Sequence, residues 1–219
     1  MFFTRKKIKI SYGITVCNEA VELSKLLSTL IPIIDEDDEI IILQDVTNKD
    51  ARTTEVIDSY KDKLVVVEAK LNKDFATFKN KLIAHAKGDY LFQIDADEIP
   101  QDTLVKQIKK ILRQKTNRDC FLVPRINIVN GLTPEHINQW KWNIDENNRV
   151  NFPDYQLRIF KLNGVIKWKN AVHEEVIGHK NHFYLPSKNE DYCLIHIKDI
   201  NKQVLQNNFY DTIATQAIQ

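Results

Sequence analysis

The chain has 219 residues, 43% hydrophobic and 28% charged, with a formal net charge of +1. That length fits one compact domain, and the composition excludes a disordered chain. The near-neutral balance gives no overall field for nucleic acid or an anionic membrane surface.

Local basic runs, Arg5-Lys6-Lys7 and Lys106, Lys109, Lys110 and Arg113, read as solvated faces. The cysteines, Cys17, Cys120 and Cys193, are odd in number and lack metal-ligand spacing. They read as small buried thiols in a reducing cytoplasm. No leader pattern follows Met1-Phe2-Phe3, and no run approaches the ~20 apolar residues of a membrane span. A protein at most peripheral at a membrane is expected.

Ile8 to Val16 is β-branched and apolar enough for a buried strand. Asn18 is placed to cap a helix whose apolar stripe is Val21, Leu23, Leu26, Leu27 and Leu30, ended by Pro32. Glu39 to Gln44 predicts an interior parallel strand, and Asp50 to Tyr60 a helix with Val56, Ile57 and Tyr60 inward. Leu64 to Val67 predicts a third strand, and Phe75 to Ala86 a helix carrying Phe75, Phe78, Leu82 and Ile83. Lys87-Gly88-Asp89 turns the chain into a fourth strand, Tyr90 to Ile94, which runs into Asp95-Ala96-Asp97-Glu98.

Strand–helix repeats at this spacing imply a mainly parallel sheet flanked by helices. Such sheets bind ligands outside the carboxyl ends of their strands. That rule selects Thr15 to Glu19, Asp45 to Asp50 and Asp95 to Glu98, all polar or acidic.

The second half is mixed. After a helix from Thr103 to Arg113 come β-like runs at 120–123, 125–129, 155–160, 165–168 and 192–197. Pro134 to Pro153, rich in Asn and Trp, reads as a long loop, and 199–219 as an amphipathic terminal helix. One unit is therefore expected, with a nucleotide-binding half (1–100), an acceptor-side half (101–198) and the terminal helix.

Two carboxylates one residue apart at a strand end are costly to bury unpaired, and a hard cation resolves the cost. Mg²⁺ or Mn²⁺ takes one or two protein carboxylates and completes its shell with water and phosphate oxygens. Asp95 and Asp97 are candidates for that role; capping of the next helix or pairing with lysines is the alternative.

The run from Asn80 to Glu98, with Ala86-Lys87-Gly88-Asp89 and then Asp95-Ala96-Asp97, resembles the core of family 2 glycosyltransferases of the GT-A fold. Gly13 to Glu19 resembles that family's first nucleotide-contacting loop, and Asp45 its base-bonding aspartate. Asp154 to Phe160, Trp168 to Glu174 and Leu194-Ile195-His196 resemble its later motifs. The resemblance spans about residues 8–198, in the expected order. Asp45 to Asp50 departs from it, lacking the glycine and paired acids usual there, and this bears on base and sugar specificity.

The resemblance implies a metal-dependent transfer of a sugar from a nucleoside-diphosphate donor, a UDP-sugar first, to an acceptor hydroxyl. Asp97 is then the direct ligand of Mn²⁺ or Mg²⁺, Asp95 bonds ribose or ligates through water, and His196 completes the shell or is a buried histidine held by backbone. Glu174 is the general base of an inverting displacement, with His173 second. Thr15, Glu19, Asp45, Lys79, Asn80, Ala96 and Arg158 line the donor, and Glu98 and Trp168 face the sugar and acceptor. Arg158, in an apolar strand, binds phosphate or pairs with an acid such as Asp154. A glycan or lipid acceptor is favoured over a modified nucleic-acid base. A nucleotidyltransferase and an inactive nucleotide-sugar-binding module are the rival classes; the former would want a glycine- and basic-rich first loop.

Overall fold

The computed structural model describes residues 7–207. Four parallel strands form its first half: β1 (Ile10–Val16), β2 (Glu39–Asp45), β3 (Leu64–Ala69) and β4 (Tyr90–Asp95). They lie in the order β3-β2-β1-β4. Helices α1 (Ala20–Leu30), α2 (Ala51–Ser59) and α3 (Phe75–His85) make the crossovers. The sheet continues through β7 (Val150–Lys161), β6 (Cys120–Asn130), β11 (Leu194–Asp199) and β5 (Glu98–Pro100), and β10 (His182–Tyr184) extends the far edge of β6. β8 (Lys167–Lys169) and β9 (Glu175–Ile177) form a separate hairpin against α3. The mixed second half contains α4 (Asp102–Gln114) and a short α5 (Pro134–Trp140), and residues 200–207 begin the terminal helix.

Alternation along the strands divides the core between the two faces of the sheet. Ile10, Tyr12, Ile14, Ile40, Ile42, Phe92 and Ile94 pack on one side with α1 and α4. Ile41, Leu43 and Leu91 pack on the other with Phe78, Leu82, Phe160 and Trp168. Burial on both faces is the reason β2 and β4 read as continuous apolar runs. Gly88 permits the tight entry into β4: a β carbon there would lie 2.8 Å from Ser11 N and 2.9 Å from Lys9 O.

Several local expectations change. Val21 is 78% exposed, because it lies about 200° around α1 from Leu23, whose face packs on the sheet. Asn18 does not cap α1; Glu19 occupies that position, and its carboxylate accepts the Cys17 and Asn18 amides instead. The stretch expected as a loop from 134 holds α5, started by Pro134 and by Thr133, whose hydroxyl and the His136 ring form a reciprocal cap. It then turns back into β7, much longer than the expected strand. Lys109 of the basic helix is buried against Asp35 and Asp38, at 2.6 and 2.7 Å, so charge there is spent on packing. Cys120 and Cys193 are buried and Cys17 is half-buried; all three are free thiols. Among the described residues no helix is long and apolar enough to cross a membrane. Residues 1–6, which include Arg5 and Lys6, and residues 208–219 of the expected terminal helix lie outside the described residues.

Candidate active site

The order β3-β2-β1-β4 puts the topological switch between β1 and β4, whose connections leave in opposite directions. Their carboxyl ends are in register: Thr15 pairs with Asp95, and the Thr15 hydroxyl donates to Asp95 Oδ1 at 2.9 Å. A cavity of about 710 Å³ opens there, reaching from Asp45 past Asp95 and Asp97 to Glu174 and His196. It is large enough for a nucleotide-sized ligand.

The strands beyond β4 bring basic and polar groups beneath the acids. Arg158 on β7 is 4% exposed, and its Nη2 donates to Asp95 Oδ2 at 2.6 Å and to Glu98 Oε1. Arg125 on β6 donates to the same Glu98 oxygen at 2.8 Å and grips Asp154 through Nε and Nη2, at 2.9 and 2.7 Å. Asp154 also holds the Asn127 amide, and Asn127 Oδ1 lies 2.7 Å from His196 Nδ1. Cross-strand register does the assembly: Arg125 opposes Asp154, and His196 lies between Asn127 and Glu98.

This network separates the two aspartates. Both oxygens of Asp95 have partners in Thr15 and Arg158. Burial by itself would raise its carboxyl, but the charges of Arg158 and Lys79 and these hydrogen bonds hold it well below the ordinary range. Asp97 is part-buried, and His196 and Lys198 outweigh that desolvation and keep its carboxyl low. Its Oδ2 lies 3.5 Å from His196 Nε2, 3.7 Å from Lys198 Nζ and 3.6 Å from Lys202 Nζ. Burial lowers the Lys198 amine, with Asp97 opposing in part.

Glu98 departs from its expected role. It is fully buried, with one oxygen taken by two guanidinium groups and the other by the Asp95 amide, so it supports the floor of the cavity and cannot face a sugar. Trp168 lines the cavity but is only 7% exposed, with Lys79 Nζ over its ring at 4.7 Å and Phe160 packed edge-on. Asn80 spends its amide on the Trp168 backbone, donating to O and accepting from N, each at 2.9 Å. Arg158 pairs with Asp95 and Glu98; Asp154 belongs to Arg125.

Glu174, before β9, is ion-paired with Lys79 of α3, and both line the cavity. His173 is exposed, has φ 53° and is outside that lining. Ala96 is buried on the cavity wall, with its amide donating to Thr15 O at 3.1 Å. Asp45 accepts the Thr47 amide and hydroxyl and the Leu71 amide, which fixes the loop after β2. Glu19 anchors the loop after β1 as described.

Sequence reading missed Arg125, Asn127, Lys198 and Lys202. The rule applied to Arg158, a charge inside an apolar strand, also singles out Arg125. The lysines carried no comparable signal. Among the described residues no three His, Cys, Asp or Glu side chains form a metal cage. Asp97 and His196 are the adjacent pair able to contribute to one. His196 Nδ1 faces the Asn127 carbonyl and Nε2 is directed at Asp97, so Nε2 is the ring nitrogen placed to reach an ion shared with Asp97.

The arrangement is an α/β sheet with a polar cavity at its topological switch point. The model of glycosyl transferase family 2 matches residues 11–172, and the chain belongs to that family. It is 29% identical over 178 residues to the SPbeta prophage-derived glycosyltransferase SunS of Bacillus subtilis (strain 168), covering 79% of this chain and 36% of that protein. The chain thus spans about a third of that relative's length. Among solved structures, S. aureus TarS 1-349 in complex with UDP-GlcNAc superposes with TM-score 0.59 at 14% identity, over 87% of this chain and 59% of that one. The mannosyltransferase PcManGT from Pyrobaculum calidifontis, in complex with GDP-Man and Mn²⁺, gives 0.56 at 15%, over 87% and 57%. These likenesses establish the GT-A fold.

Proposed function

We propose that the protein transfers a sugar from a nucleoside-diphosphate donor, a UDP-sugar first, to an acceptor hydroxyl in one inverting displacement. The observation that carries this is the pairing of Thr15 with Asp95 at the switch point, with Asp97, His196 and Glu174 on the same cavity. Family membership supports the reaction class. The UDP-GlcNAc and GDP-Man bound to the two structural relatives support the donor class. Among the described residues, 7–100 serve as the donor-binding half and 101–198 as the acceptor side, followed by the helix over 200–207, within one unit.

In this reading the loops fixed by Glu19 and Asp45 receive the nucleoside, and Asp95 presents the end of β4 to it. Asp97 and His196 would hold Mn²⁺ or Mg²⁺, with water and donor phosphates completing the shell. The ion would supply positive charge to the leaving diphosphate. Glu174, steered by Lys79, takes the proton of the acceptor hydroxyl as that oxygen bonds to the anomeric carbon. The bond from that carbon to the diphosphate breaks, and its electron pair leaves with the phosphate oxygen. A glycan or lipid hydroxyl is the proposed acceptor, and Trp142 on the cavity wall, 4.6 Å from Trp140, suits the apolar face of a sugar.

Thermal shift and calorimetry with UDP- and GDP-sugars, with and without Mn²⁺, test the reading. At least one donor should stabilise the protein, and more so with Mn²⁺. Asp97→Asn should remove the metal-dependent part of that affinity, about 10- to 100-fold. Absence of stabilisation by any nucleotide sugar under either condition would overturn it.

A further inference from the structure

Two lysines at the acidic cluster have no part in this scheme. Lys198 follows His196 by two residues on β11, so both side chains leave the same face of the strand. Lys198 is 8% exposed and lines the same cavity as Asp97. Among the described residues its hydrogen-bond partner is Gln206 Oε1, at 2.6 Å. That acceptor is neutral, and an ammonium group has three donors. The counter-charge of Lys198 is Asp97 Oδ2 at 3.7 Å, beyond hydrogen-bond reach, so an anion brought closer to this buried ammonium would be favoured.

Lys202, on the helix over 200–207, approaches the same oxygen of Asp97 as Lys198, at 3.6 and 3.7 Å. Both separations exceed a normal N–H···O bond. The two ammonium groups therefore crowd one carboxylate without bonding to it. Lys202 also reaches Glu22 of α1 at 3.3 Å, a part-exposed pair that solvent screens. Arg125 adds further positive charge near Lys198. A dication on Asp97 would meet repulsion from both lysines unless an anion lay between them. A diphosphate is such an anion.

We propose that Lys198 and Lys202 bind the donor diphosphate directly, Lys198 from a fixed place on β11 and Lys202 by leaving Glu22. The donor site then keeps affinity for a nucleoside diphosphate when no metal is bound, and the start of the terminal helix closes over the phosphates. This rests on the nucleotide-sugar reading and adds the residues that recognise its phosphates.

The test is calorimetric titration of UDP and GDP, each beside its nucleoside, in chelator and in saturating Mn²⁺. In chelator the wild-type protein should bind at least one diphosphate. Lys202→Ala should weaken that binding about tenfold, and Lys198→Met by more than tenfold, with the nucleoside changed less than twofold. Lys202→Arg should restore most of the loss. Should Lys198→Met fail to fold, the variants of Lys202, which is the less buried of the two, decide the matter. Diphosphate affinity within twofold of wild type in both variants would sink the assignment, as would equal losses for diphosphate and nucleoside. A wild-type protein that binds neither nucleotide under either condition would remove the donor reading itself. Wild-type binding with unaffected lysine variants removes only the lysine assignment.

Discussion

Glu174→Gln is expected to lower the rate of sugar transfer by about 10²–10⁴-fold while leaving donor affinity nearly unchanged. The glutamine keeps an oxygen near Lys79, so the ammonium retains a neighbour and the wall of the cavity stays in place. What it loses is the basicity needed to accept the acceptor's proton, a demand that arises only in the transition state. The prediction therefore separates turnover from binding. Single-turnover rates with a donor held above its dissociation constant measure the first, and calorimetry the second. A variant within tenfold of wild-type turnover, or one that loses donor binding in proportion, would remove Glu174 from the role of base. His173, exposed and outside the cavity lining, is a poor substitute in this conformation.

Arg158→Met should be the most damaging substitution for stability. Arg158 is 4% exposed and is shared by Asp95 and Glu98. Removing one partner of a buried ion pair strands the other, and typically costs about 3–5 kcal/mol. The pH dependence adds a second readout. In the wild-type protein Asp95 is held below its ordinary value of 3.8, so its contribution is present above that pH and is lost as the solution is acidified through the folded value. Between pH 7 and 5 this group should leave wild-type stability flat. In Arg158→Met the part-buried Asp95 loses its main counter-charge and shifts toward the protonated form. The variant should thus gain stability as pH falls from 7 to 5. Urea unfolding at the two pH values measures both effects. A loss below about 1 kcal/mol at pH 7, or a variant as flat as wild type, would contradict the network described. If the methionine variant does not fold, Arg158→Lys keeps the charge without the planar fork and should show a smaller loss of the same sign.

The sequence by itself determined the parallel half of the molecule. Ile40 to Leu43 and Tyr90 to Phe92 are apolar on both faces, as an interior parallel strand requires. With helices at fixed spacing between them, the strand ends after Val16, Gln44 and Ile94 became the place for a ligand, and Asp95 and Asp97 were legible there. Motif order added the family. Short elements were hardly legible: β5, β9 and β10 have three residues each, too few for a period to register, and β8 was anticipated only through the run at 165–168. α5 hides in an Asn-rich stretch whose helix depends on one cap.

Only the tertiary structure could divide the labour among the acids. Asp95, Asp97 and Glu98 are near neighbours in sequence and look equivalent, yet Arg158 and Arg125 arrive from β7 and β6, some 30 to 60 residues away, and take Asp95 and Glu98. Asp97 is left to His196 and the two lysines of the last strand and helix. Long-range register sets that outcome, because a cross-strand neighbour is fixed by the pairing of whole strands and has no local trace. The placement of Trp168 and Asn80 follows the same logic: the β8–β9 hairpin docks on α3, and its contacts claim side chains that seemed free for a substrate.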